Sequence, residues 1–433
     1  MKKIRNIVLK RSFIWLLSFL LVFTSVPLDV FANESNTSEQ KDTAEERINS
    51  EDHNQNVEEM ESPAPETEMV EERTENSKLF DNGDGTFTKN IYFDPVHIEE
   101  NGELTEVSTN LLETTLGNEK VIETENTLLT STFYEEMKNG EYAVFERDNA
   151  SITFSILEAA GKDQKVKVTD VNPVFNENSI THKGIFPDID LRNMTFNENV
   201  KEDIVLHSYK GLHTFTFHLK TELNGEVLPD GSVAFYKKKE DKPAFVLPEP
   251  FMTDSNIDEL SSETARSDNV TYDLEKTEDG YFLTVTADEE WLKDPDRVYP
   301  VYIDPTTSLT TNSDAFVMSA YPKTNYGTAT KKWNASQKQY VLKIGKYDNT
   351  TGTNYAFLKQ NISKINKAVI DSATLNVYVT HAYYGSKKNG LWLDEVTGNW
   401  SSSSLTWNNK PGSKNIGNVN AGRDGYDLMS YIP

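Results

Sequence analysis

Thr214-Phe215-Thr216-Phe217-His218-Leu219 alternates polar and apolar residues one for one. Successive side chains of a β-strand point to opposite faces. The stretch therefore predicts a strand with Phe215, Phe217 and Leu219 on a core face and Thr214, Thr216 and His218 on the other. The same period recurs in Ile152, Phe154 and Ile156, in Tyr281, Leu283, Val285 and Ala287, and in Tyr299, Val301 and Ile303. Asp84-Gly85, Asn101-Gly102, Asn139-Gly140, Asn224-Gly225, Asp230-Gly231 and Asp279-Gly280 punctuate these runs. Such dipeptides supply the positive φ angles of tight hairpins, so neighbouring strands should pair antiparallel. The expectation is an all-β chain with an antiparallel β-sandwich over residues 79–305. Leu128 to Met137 offers at most one short helix, and the polar stretch Thr253 to Asn269 reads as a loop. Asp81-Asn82-Gly83-Asp84-Gly85 is a hairpin turn and not a calcium loop, because Phe80 and Ile91 fall where an EF-hand requires acids.

The N-terminus sets the compartment. Lys2, Lys3, Arg5, Lys10 and Arg11 precede an apolar run from Phe13 to Phe23, and Val30-Phe31-Ala32 places small residues where a signal peptidase reads. This predicts a signal peptide over residues 1–32, cut between Ala32 and Asn33, with no stable membrane span afterwards. Residues 33–78 hold 15 Asp/Glu against 4 Lys/Arg. They read as a disordered acidic linker, too polar to bury enough surface to offset chain entropy. An exported chain of 433 residues without cysteine suits the exterior of a Gram-positive bacterium, as a secreted or wall-associated protein.

Charge separates the rest. Residues 79–305 carry −26, whereas residues 306–433 carry 14 Lys/Arg against 7 Asp/Glu. An acidic body of that size argues against a nucleic-acid partner, since phosphate neutralisation needs Lys and Arg. The basic C-terminal part also holds Trp333, Trp392, Trp400 and Trp407, four of the chain's six tryptophans. Ala373, Leu375, Val377 and Val379 alternate with Thr374, Asn376, Tyr378 and Thr380, which predicts further strands there.

Five segments of this part occur in a telling order. They are Asp314-Ala315-Phe316-Val317, Asn325-Tyr326-Gly327, Tyr355-Ala356-Phe357-Leu358-Lys359, Ile370-Asp371-Ser372-Ala373-Thr374-Leu375, and Trp400 followed by Leu405-Thr406-Trp407-Asn408-Asn409-Lys410-Pro411. Their order resembles the DNRLRE domain, a relative of carbohydrate-binding modules with a jelly-roll fold, and implies a jelly-roll-like β-sandwich over residues 306–433. Asp188-Ile189-Asp190-Leu191-Arg192 and Arg297-Val298-Tyr299-Pro300-Val301-Tyr302-Ile303-Asp304-Pro305-Thr306 resemble the region preceding that domain in wall-associated proteins. Those proteins continue into YD (RHS-type) repeats and toxin regions, which are absent from this sequence. The run Tyr426 to Ile432 reads as the entry to a closing strand, so the chain is expected to be a fragment whose last module is incomplete.

No catalytic signature is present: no His-Glu-x-x-His, Gly-x-Ser-x-Gly or phosphate-binding loop. Carboxylate pairs such as Asp188 with Asp190 arise by chance among 69 Asp/Glu. His213 and His218, an odd number of residues apart, should face opposite sides of one strand and cannot share a metal. The expectation is a non-enzymatic protein binding cell-wall or other anionic polysaccharide. The alternatives are a ligand-free scaffold presenting a toxin region, or a polysaccharide-degrading enzyme. Aromatic faces stack on sugar C–H surfaces while amides and charges read hydroxyls, so Tyr326, Lys331, Lys332, Trp333, Tyr383 and Tyr384 are the candidate ligand residues. Trp400 and Trp407 read as structural. No cofactor is expected; jelly-roll modules often carry a structural calcium, but no residue pattern identifies its ligands.

Overall fold

The computed structural model describes residues 3–10, 67–258, 262–309, 314–346, 351–359, 369–370, 373–381, 389–421 and 425–431. The cut after Ala32 and residues 33–66 of the expected linker lie outside the described residues. Residues 67–78, expected to be disordered, are instead part of the fold: Thr67–Glu68 pairs antiparallel with Ser77–Asp81, and Arg73 bridges Glu68 and Glu106. Within the expected leader, Lys3–Lys10 is extended and runs parallel to both Thr86–Tyr92 and Ala373–Val379. Among the described residues no helix is long and apolar enough to cross a membrane.

Two large antiparallel sheets face each other across one core. The first runs Val270–Lys276, Gly280–Ala287, Thr214–Lys220, Ala150–Ala160, Glu141–Arg147, Thr130–Lys138, Glu119–Asn126 and Ser108–Leu116. The second runs Val174–Asn176, Ser179–Phe186, Ile189–Thr195, Asn199–Leu206, Thr307–Ser308, Phe245–Leu247, Val233–Tyr236 and Asn224–Val227, with Val301–Asp304 also pairing Asn199–Leu206. Phe215, Phe217 and Leu219 are buried while Thr214, Thr216 and His218 are half-buried, so the alternation read from the sequence is the alternation of the fold. They meet Ile152, Phe154 and Ile156 on the neighbouring strand and Ile180, Leu191, Ile204 and Ile303 from the opposite sheet in a single cluster. This is the antiparallel sandwich the period-two pattern predicts.

Hairpin chemistry is mostly where the dipeptides put it. Gly85, Gly102, Gly140 and Gly231 all take positive φ. Gly140 has no alternative, because a Cβ there would lie 1.9 Å from the carbonyl oxygen of Ile156. Asn224-Gly225 and Gly280 are instead strand residues, and the hairpin after Glu141–Arg147 turns on Asp148 and Asn149, with φ of 47° and 62°.

Two readings are corrected. Thr130–Lys138 is a strand paired on both sides, not a helix, since Ser131, Thr132 and Phe133 are buried between its neighbours. Phe251–Asp258 and Glu263–Ser267 pair antiparallel where a loop was expected. Ser262, Glu263 and Arg266 meet the C-terminal module, while Asp254 and Ser255 are satisfied by Arg297, Val298 and Pro300 within the sandwich.

That module begins with Asp314–Met318, which pairs antiparallel with Thr353–Leu358. Trp333–Asn334 and Gln339–Tyr340 make a small hairpin, Asn389–Val396 pairs with Ser413–Ala421, and Ala373–Val379 pairs with Gly425–Tyr431. Asn199–Leu206 is buried along nearly its whole length, on both faces. Val200, Ile204 and Leu206 enter the core between the sheets. The outward face is covered by the module, whose Trp333 joins Met194, Phe196 and Phe251 in a second cluster.

Candidate functional site

The module's first strand pair divides its aromatics between two faces. Register places Ala315 opposite Phe357 and Val317 opposite Tyr355. Period two puts all four on one side and Phe316 on the other. On the first side Ala315, Val317, Phe357 and Leu405 are buried, with Val396, Trp400 and Trp407 packed against them. Trp400 meets Phe357 edge-on at 5.5 Å. Tyr355 lies at the rim of that face and stays 47% exposed. Its ring stacks on Trp407, with centroids 5.2 Å apart and planes within 18°. Lys410 places its ammonium 4.1 Å from the centre of the Trp407 ring. The result is a near-parallel pair of rings, Tyr355 exposed and Trp407 half-buried, with a half-buried ammonium over the Trp407 ring. Flat apolar faces flanked by a polar donor are what sugar recognition requires.

The loop carrying Trp407 is fixed by the Asn325-Tyr326-Gly327 segment. Asn325 Nδ2 donates to the carbonyls of Ser402 and Leu405, both at 2.7 Å. Gly327 is required by space, because a Cβ would lie 2.0 Å from the Ser402 carbonyl oxygen. Asn409 closes the other end, accepting from the Thr406 amide and donating to the Ser404 carbonyl. The segments that carry the family resemblance thus hold the platform in position.

The six residues singled out from sequence have different places. Tyr326 is half-buried, stacked on Phe316 at 4.6 Å, and burial pushes its hydroxyl up to about 12. Lys331 pairs with Asp268 at 2.9 Å and Glu249 at 3.3 Å on the sandwich. Lys332 is buried and pairs with Asp314 at 2.6 Å. Trp333 is only 9% exposed and packs edge-on against Phe196 and Tyr340. Trp333 therefore sits inside the joint between module and sandwich, packed on Met194, Phe196 and Phe251, while Lys332 is buried against Asp314 of the module itself. Tyr383 and Tyr384 lie outside the described residues.

Sequence reasoning did not single out Tyr355; Trp407, read as structural, does pack against the cluster of Ala315, Val317, Phe357 and Leu405. A signal did exist: Tyr355 shares a face with Phe357 in an alternating strand that ends there, so one of the two rings had to reach the rim. Trp392 was likewise read only as a strand residue, yet it is 71% exposed. A cleft of about 400 Å³ on the sandwich is lined by Glu75, Asp94, Glu99 and Glu198 with a single Arg147, a charge balance that does not suit a polyanion. Among the described residues no group of three or more His, Asp or Glu is placed to hold a metal ion, and His213 and His218 contact Tyr209 and Asp279 separately.

Residues 305–425 match the profile of carbohydrate-binding module family 96. The chain is 47% identical over 452 residues to the tRNA3(Ser)-specific nuclease WapA of Bacillus spizizenii, covering 100% of this chain and 19% of that protein. It is 47% identical over 454 residues to the tRNA nuclease WapA of Bacillus subtilis, again over 100% of this chain and 19% of the relative. A wall-associated protein of Geobacillus stearothermophilus is 52% identical over 204 residues, which are 46% of this chain and 79% of that one. The chain thus spans about a fifth of the length of the two Bacillus relatives. No solved structure matches it.

Proposed function

The chain belongs to the wall-associated protein family of Gram-positive bacteria, and on that premise we propose that it binds cell-wall polysaccharide, without catalysis, through its family 96 module. The observation that carries this reading is the Tyr355–Trp407 stack with Lys410 over it, its Tyr355 ring exposed on a module whose profile is carbohydrate-binding. A pyranose laid on the rings would bury apolar C–H surface, while the Lys410 ammonium would meet a hydroxyl, carboxylate or phosphate. The joint is made by other residues: Trp333 and Lys331 are used on the sandwich side, and Lys332 is buried against Asp314.

The nuclease activity in the names of the Bacillus relatives is not assigned to this chain. Residues 79–305 carry −26, and that field would repel a polyphosphate backbone. Within a longer relative, the role proposed here is to hold the protein at the wall. Retention of the full chain on purified wall and on soluble anionic polysaccharides tests the reading. Retention at low salt is expected, and its absence on every glycan would favour a ligand-free scaffold. Release of reducing ends or unsaturated sugars would instead reveal an enzyme.

A further inference from the structure

Lys201, Asp203 and Asp304 are each no more than 2% exposed, at the joint between sandwich and module. We propose that Lys201 and Asp304 form a self-generated covalent cross-link, an amide between Lys201 Nζ and the side-chain carboxyl carbon of Asp304. The proposal stands apart from the glycan reading and rests on how the cluster is built.

The parts of an acyl-transfer site are all present. Lys201 on Asn199–Leu206 is the nucleophile, with Nζ 2.9 Å from Oδ2 of Asp304 on the adjacent strand Val301–Asp304. Asp203 Oδ1 lies 2.5 Å from the same nitrogen, placed to take its proton. Arg192 holds the other Asp203 oxygen at 2.6 Å, fixing that carboxylate. The remaining oxygen of Asp304, Oδ1, accepts from the Thr306 amide at 2.8 Å and from the Thr306 hydroxyl. Two donors on the oxygen that stays, and the nucleophile on the oxygen that would leave, are the arrangement that stabilises a tetrahedral intermediate. The rings of Trp333 and Phe251 lie 5.1 Å and 5.4 Å from Nζ and exclude water, which favours amide formation over hydrolysis. Burial also pushes the Asp304 carboxyl up, toward the neutral form that a nucleophile can attack. Asp203, although buried, is held low by Lys201 and Arg192 and so stays ionised beside Nζ.

The step balances without an oxidant or co-reactant. One proton passes from the Lys201 ammonium through Asp203 to Oδ2 of the Asp304 carboxylate, leaving a neutral amine beside a neutral acid. Nζ then bonds to the Asp304 carboxyl carbon and gives up a second proton through Asp203 to Oδ2, and the bond from that carbon to Oδ2 breaks, so the oxygen leaves as water carrying both protons. The positions are pre-set by the fold, so the reaction is intramolecular and gains the large effective concentration that comes with it. The product would tie Asn199–Leu206 to Val301–Asp304 in a chain that has no cysteine for a disulfide.

Intact mass of the full chain, with its N-terminus assigned, is expected to fall short of the sequence mass by one water. After denaturation and trypsin, the peptides containing Lys201 and Asp304 should appear as one branched species, with no cut after Lys201. Asp203→Asn, which keeps the size of the side chain, is expected to restore the full mass, as is Lys201→Met. Should either variant fail to fold, the branched peptide of the natural sequence still decides, because it is read on denatured protein. An undiminished mass with cleavage after Lys201 would overturn the proposal and leave an ordinary ion pair.

Discussion

Trp333→Ala separates the two roles that a tryptophan in this module can have. The indole is 9% exposed, packed on Met194, Phe196 and Phe251, and makes edge-on contacts with Phe196 at 6.4 Å and Tyr340 at 5.2 Å. Truncating a buried aromatic to alanine costs about 3–5 kcal/mol, and each aromatic pair adds roughly 0.5–1.5 kcal/mol beyond area. The change also opens the cover over Lys201, whose Nζ lies 5.1 Å from the ring, and lets water reach the polar cluster around it. Part of the cavity cost is relieved by that hydration, so a loss of about 4 kcal/mol is expected. Urea unfolding followed by intrinsic fluorescence would show it as a lowered midpoint. Glycan retention measured under conditions where the variant remains folded should be close to that of the natural sequence. A variant of undiminished stability that no longer binds glycan would refute the placement of Trp333 in the joint.

Glu202 faces the core between the sheets, where its carboxylate accepts from the Tyr142 hydroxyl at 2.5 Å and from Asn193 at 2.8 Å. Burial pushes its carboxyl up to about 7, so folding takes up a proton over the range between an ordinary glutamate and that value. Stability from this group is complete below about pH 4 and falls as pH rises through 7, by about 3 kcal/mol. Glu202→Gln should be near neutral in effect at pH 5 and stabilising relative to the natural sequence at pH 8; parallel stability profiles would contradict it. Gly327→Ala drives a Cβ to within 2.0 Å of the Ser402 carbonyl. It should displace the Trp407 loop, lowering both thermal stability and glycan retention, and an unchanged melting temperature would count against the close approach. Lys410→Ala should weaken retention on anionic polysaccharide several-fold and flatten its salt dependence, with only a small loss of stability, since the half-buried ammonium has no acidic partner among the described residues to leave unpaired.

The sandwich was legible because its strands obey period two, and that period survives wherever one face of a strand is wet or half-buried. It fails on Asn199–Leu206, where Lys201 and Asp203 alternate with core residues yet are themselves buried. A polar residue in an alternating strand reads as solvent-facing unless its partner is known. Here the partners are Asp304, Arg192 and a module more than a hundred residues away in the chain. The same ignorance of partners misplaced Lys332 and Trp333: their polar neighbours in sequence suggested a surface, but Asp314 and the outer face of the second sheet enclose them. Thr253 to Asn269 looked like a loop for a related reason. Its Arg266 lies over the Phe251 ring at 3.8 Å and donates to the Thr330 carbonyl, and Ser262 accepts from Asn334, so these polar groups are matched by the module and not by water. The resemblance located the binding module correctly, while the stack within it depended on a loop contact between Tyr355 and Trp407 that no local pattern encodes.

The central claim is that the Tyr355–Trp407 platform binds wall glycan. Its most direct test is retention of the full chain on purified Gram-positive cell wall, comparing the natural sequence with a Tyr355→Ala, Trp407→Ala double variant shown to be folded. Loss of stacking should weaken binding by at least about tenfold, equivalent to about 1.4 kcal/mol, with near-background retention at low salt. Equal retention of the two proteins would contradict the account.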